Sequence, residues 1–158
     1  MKTKGLVLAT FMLFGYFFTN AQRADGDVGL GFQFGQPSGV SLHFYNNDGA
    51  SLDLLAAWDL DNFYFLNIHA LWSKHLDDRG NVHFYYGPGG FIGVRERAGS
   101  DGLFDDNNND VELGLSGRVG LGFLIDKFEI FGHVTPRISL SDSSDVDFGG
   151  GVGGRFYF

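Results

Sequence analysis

A chain of 158 residues with no cysteine and a formal net charge of −8 has the length of one domain and cannot rest on disulfides. Its 25 glycines come with 16% aromatic residues, a mixture that excludes a disordered glycine-rich linker. The acidic balance repels phosphate backbones and excludes nucleic acid as a partner.

Lys2 and Lys4 precede an apolar run from Leu6 to Phe18, broken by Thr10 and Gly15, and Thr19, Asn20 and Ala21 then precede Gln22. This is the layout of a cleaved secretory signal peptide over residues 1–21. The run falls short of the ~20 apolar residues that a membrane-spanning helix needs. Residues 22–158 remain as a single domain, with nine basic and nineteen acidic side chains and a net charge of −10.

That domain breaks into eight alternating runs separated by turn residues. In the first, Val28, Leu30, Phe32 and Phe34 share one face, with Gly29, Gly31 and Gln33 on the other. Gly35 to Gly39 is a turn by composition, and the second run sets Val40, Leu42 and Phe44 against Ser41, His43 and Tyr45. Asn46–Asn47–Asp48–Gly49 is a strong hairpin signal, because these residues tolerate positive φ. The third run sets Leu52, Leu54, Ala56 and Trp58 against Asp53, Leu55 and Ala57, and Asp59 to Asn62 forms the next turn. The fourth sets Tyr64, Leu66, Ile68, Ala70 and Trp72 against Asn67, His69, Ser73 and His75, and Leu76 to Asn81 closes the hairpin. The fifth, Val82 to Val94, contains Pro88, which removes a ladder donor and predicts a local irregularity. Residues 95–110 are the one long polar segment. The sixth run sets Leu113, Leu115, Val119, Leu121 and Phe123 against Glu112, Ser116, Arg118 and several glycines. The seventh sets Phe128, Ile130, Val134 and Ile138 against Glu129, His133, Thr135 and Arg137. No helix of useful length is readable after residue 22. The period of two throughout predicts antiparallel strands, each with one greasy and one polar face.

The last run, Asp145 to Phe158, puts Val146, Phe148, Val152, Phe156 and Phe158 on one parity and Asp147, Gly149, Gly151, Gly153, Arg155 and Tyr157 on the other. Gly153-x-x-Phe156-x-Phe158 resembles the C-terminal assembly signal of bacterial outer-membrane β-barrels. That resemblance implies recognition by the barrel-assembly machinery.

Which face points inward follows from volume. The interior of an eight-stranded barrel is just wide enough for side chains, so glycines and a few charges suit it better than a full set of Phe, Leu, Ile and Trp. The greasy face therefore looks outward, and lipid must surround it. With both termini on the periplasmic side, the outward rings Phe44, Trp72, Phe84, Tyr86, Phe123, Phe128, Phe156 and Phe158 fall near the inner ends of their strands. They form the expected aromatic girdle of a membrane interface, while Phe34, Trp58 and Tyr64 mark the outer rim. The reading is an all-β, eight-stranded, antiparallel up-and-down transmembrane barrel, and the whole of it resembles the small OmpA/OmpX-type barrels. The resemblance implies a monomer in the outer membrane of a Gram-negative bacterium. Outer-membrane lipid is its surroundings, and residues 95–110 form an external loop able to meet an extracellular partner.

On the polar face lie His43, Asp53, His69, Glu112, Arg118, Glu129, His133, Arg137, Asp147 and Arg155, together with His83. Buried charges must be paired, so these predict a structural network in the lumen. His43 is expected opposite Asp53, and Arg137 opposite Asp147. His75 and His83 are cross-strand candidates for half a metal site, but no third ligand stands at a recognisable spacing. His133-x-Thr135 resembles the His-x-Ser of outer-membrane lipid A deacylases, with Thr in place of the nucleophile and no orienting Glu after it. Asp105 opens an oxygen-rich stretch that lacks the Gly and Glu of a calcium loop. Gly29-x-Gly31 has no helix after it and is no nucleotide loop. The expected function is non-enzymatic, structural or surface-interacting, with no metal and no cofactor. The alternatives are a lipid-modifying outer-membrane enzyme and a secreted, lipocalin-like binder of apolar ligands.

Overall fold

A computed structural model describes residues 23–58, 63–96, 109–140 and 146–158. Of the expectations from the sequence, the signal peptide over residues 1–21, most of the loop over residues 95–110 and the turn at 59–62 lie outside them, as do residue 22 and residues 141–145. The alternating runs become β1 (Val28–Gln36), β2 (Gly39–Phe44), β3 (Ser51–Trp58), β4 (Phe63–His75), β5 (Val82–Glu96), β6 (Asn109–Ile125), β7 (Phe128–Ser139) and β8 (Val146–Tyr157). Each strand pairs antiparallel with the next, and β1 pairs with β8, so the sheet closes as an up-and-down barrel without an edge. We call the end where β1 starts and β8 finishes proximal, and the opposite end distal.

The turns fix the register. Asp126 takes φ 54° in the short turn between β6 and β7, a conformation Asp tolerates better than most residues. Gly80, at φ 73°, closes the β4–β5 turn. There Asp77 accepts the Val82 N–H at 2.7 Å, and that bond holds the Asp77 carboxyl below its ordinary range. Pro88 does not shift the register. The β4–β5 ladder keeps one alignment from Phe63↔Arg95 to His75↔His83 and skips only the positions at Ala70 and Leu71. Pro136 interrupts the β6–β7 ladder in the same way, beside Gly117 and Arg118. The expected irregularity at Pro88 is therefore a gap in hydrogen bonding rather than a bulge.

The greasy parity is the exposed one. Leu121, Ile130 and Phe156 are 53, 50 and 42% exposed, as are similar residues around the whole outer wall. A surface of this kind is stable only in an apolar medium. The rings expected in the girdle lie on this wall near the proximal end. Phe128 stands opposite Phe156, and Trp72 opposite Tyr86. Phe34, Trp58 and Tyr64 are exposed toward the distal end.

The interior holds more bulk than volume reasoning allowed. Tyr45, Leu55, Phe65, Leu71, Tyr85, Phe91, Leu124, Phe131 and Tyr157 are all buried inside. They fit because the cross-strand neighbour of most inward rings is a glycine: Tyr157 faces Gly29, Phe91 faces Gly114, Tyr85 faces Gly120 and Phe131 faces Gly153. A Cβ at any of these glycines would collide with the ring.

Candidate functional site

Two carboxylates organise the lumen. Asp53 projects from β3 and Glu129 from β7, and both are buried. Arg155 on β8 joins them: its Nη1 donates to Asp53 at 2.7 Å, and its Nε and Nη2 donate to Glu129 at 2.7 and 3.1 Å. Asp53 also accepts from Arg118 on β6 and from His43 Nδ1 at 3.0 Å. Glu129 accepts from His83 Nε2 at 2.9 Å and from the Tyr157 hydroxyl at 2.5 Å. Arg23 closes the proximal side. It donates to the Tyr157 oxygen at 3.1 Å, and its guanidinium lies 3.7 Å from the centre of the Tyr45 ring. Every charged group here therefore has opposite charge or a hydrogen bond beside it, which is what burial of ions requires.

Toward the distal side the contacts become neutral. Gln33 Oε1 can only accept, so the His133 Nε2, 2.7 Å away, carries the proton. His133 Nδ1 lies 3.0 Å from the Thr135 hydroxyl, whose oxygen accepts from Arg118 Nε at 3.3 Å. His69 Nε2 meets Ser116 Oγ at 3.0 Å.

Of the residues singled out in the sequence, His43, Asp53, Arg118, Glu129 and Arg155 meet in the central network. His133 and His69 occupy the neutral polar layer. Arg137 and Asp147 pair with one another at the distal mouth, apart from the rest. Glu112 is exposed at that same mouth. Sequence reasoning did not single out Arg23 or Gln33 as network members, nor the buried Tyr157 as one. Tyr157 and Gln33 carry the one available signal, polar groups on the inward parity. Arg23 precedes the first strand and carries no periodic signal. His75 does stand opposite His83, but His83 is spent on Glu129. Among the described residues no group of three or more His, Cys, Asp or Glu could hold a metal ion.

A closed eight-stranded meander with an apolar outside and a polar inside defines the class: a small barrel of the transmembrane type. Among solved structures, the chain is similar to the N-terminal β-barrel domain of Pseudomonas aeruginosa OprF. That likeness has a TM-score of 0.61 at 14% identity and covers 84% of this chain and 96% of that one. Neisserial surface protein A also matches, with a TM-score of 0.49 at 14% identity, over 84% of this chain and 94% of that one. The sequence matches no protein-family model and no curated protein. The fold is thus that of the small OmpA/OmpX-like barrels.

Proposed function

We propose that the protein is a non-enzymatic, monomeric barrel of the outer membrane of a Gram-negative bacterium, with its lumen closed by its own side chains and a structural or surface-interaction role. The observation that carries this reading is the bridge made by Arg155 between Asp53 and Glu129. It spans the lumen inside a wall whose outside is apolar. Inward rings above and below the bridge take up the remaining width. Gly153, Phe156 and Phe158 on β8 are offered as the strand read by the assembly machinery, the proximal rings as the girdle, and residues 95–110 as the externally accessible segment.

Two features weigh against the alternatives. Thr135 is buried and its oxygen is already held by Arg118 and His133, so a lipid ester has no approach to that hydroxyl. A water-soluble, lipocalin-like carrier would need the greasy parity inside, whereas here it is outside.

The test is conductance in planar bilayers, together with labelling of a cysteine placed at residue 101–104 on intact cells. The expected result is a heat-modifiable, membrane-fractionated protein, labelled from outside, with no steady pore-sized current. A stable channel in the unmodified protein would refute the closed lumen. Release of the protein into the soluble fraction would refute the membrane reading.

A further inference from the structure

The distal mouth opens into a cavity of about 520 Å³, a volume within the range of small-ligand sites. Its floor is apolar. Phe65 and Phe91 stack with centroids 5.5 Å apart and an interplanar angle of 23°, beside Ala57. The rings already hold a cation from the chain itself. The Arg137 guanidinium carbon lies 5.5 Å from the Phe65 centroid and 6.0 Å from that of Phe91, and its outer nitrogen pairs with Asp147. Trp58 and the exposed Glu112 complete the rim.

Charge at this end is one-sided. Two carboxylates, Glu112 and Asp147, line the cavity against the single guanidinium of Arg137. Such a field concentrates cations and repels anions at the mouth. Ring faces then favour a weakly hydrated organic cation over a strongly hydrated metal ion.

We propose that this vestibule is a binding site for small organic cations carrying ammonium or guanidinium groups on an apolar stem. The ligand's head takes the place of Arg137 on the Phe65–Phe91 pair, and its far end reaches Glu112 at the rim. Arg137 is then the resident competitor. This site is independent of whether the lumen below it conducts.

The test uses the full barrel in a zwitterionic detergent with Trp72→Phe, which leaves Trp58 as the sole tryptophan. Agmatine is titrated at constant ionic strength, and folding is checked in each variant by heat-dependent gel mobility. A saturable change in Trp58 fluorescence is expected, weakened about tenfold in Phe65→Leu/Phe91→Leu. Glu112→Gln changes an exposed side chain that leaves the fold alone, and it is expected to weaken binding by about threefold. Arg137→Gln is expected to strengthen binding, because it removes both the competitor and its charge. A response reproduced by magnesium chloride alone, saturable binding of benzoate instead of agmatine, or weaker agmatine binding in Arg137→Gln would each overturn the proposal.

Discussion

Arg155 is the side chain on which most of the lumen depends, because among the described residues it alone pairs with both Asp53 and Glu129. Removing one partner of a buried ion pair typically costs about 3–5 kcal/mol, since the charge left behind stays desolvated. Arg155→Leu is expected to lose stability in that range in urea unfolding from lipid vesicles. Arg137→Leu, whose partner Asp147 is mostly exposed, is expected to lose far less. At the proximal turn a different residue gives a pH signature. The Val82 N–H donated to Asp77 depresses that carboxyl's pKa in the folded state. A depressed folded pKa contributes stability above the unfolded value of about 3.9 and loses it as pH falls through the folded one. Asp77→Ala should therefore unfold earlier than the parent at pH 7, and the two midpoints should converge as pH falls below about 4. A gap that persisted at acid pH would show that the turn does not depend on the ionised carboxylate.

At the scale of the strand, the decisive device is a large inward side chain packed over a cross-strand glycine. His83 faces Gly122, and a Cβ there would meet the imidazole and the Glu129 carboxylate, neither of which has room to move. Gly122→Ala is expected to cost about 1–3 kcal/mol by overpacking. Gly117→Ala makes the contrast: it points outward, and its new methyl would only touch the Pro136 ring at 4.0 Å. It should lie within about 0.5 kcal/mol of the parent. Equal effects at the two sites would mean that the glycines are set by backbone needs rather than by inward volume. The same device explains what was legible beforehand. Strand number, turns and the outward face followed from parity and turn residues, both local properties. The pairs His43–Asp53 and Arg137–Asp147 were legible because each joins consecutive strands at positions only ten residues apart in sequence. Phe65, Phe91 and Phe131 were not, because an apolar ring on the polar parity looks like noise until the register shows the glycine beside it. Contacts across the lumen were further out of reach. Arg155–Asp53 and Arg118–Asp53 join strands that are not neighbours, and their meeting depends on how the closed sheet staggers.

For the molecule as a whole, the usual arrangement is inverted: the buried ions meet in the middle, among inward rings packed over glycines, while most Leu, Ile, Val and Phe face outward. In water that surface would be a liability; in hydrocarbon it is the source of stability, and the ionic interior chiefly fixes shape. The inversion predicts opposite tolerances on the two faces of one strand. On β6, Leu121 and Gly120 are consecutive, with Leu121 outward and Gly120 inward against Tyr85. Leu121→Arg would place a charge on the lipid face, at a cost of about 2–4 kcal/mol near the bilayer midplane and less toward its edges. Leu121→Phe should be neutral in the same assay. In a soluble barrel the order would differ, since an arginine on a water-exposed strand face is cheap. Urea unfolding of both variants in vesicles, compared with the parent, separates the two cases. Equal stability of Leu121→Arg and Leu121→Phe would show that lipid does not cover this wall. A depth profile along the outward parity adds the finer test. Arginine at Phe123, nearer the proximal ring of aromatics, should cost less than at Leu121 or Leu115, because its head can reach the interface from there.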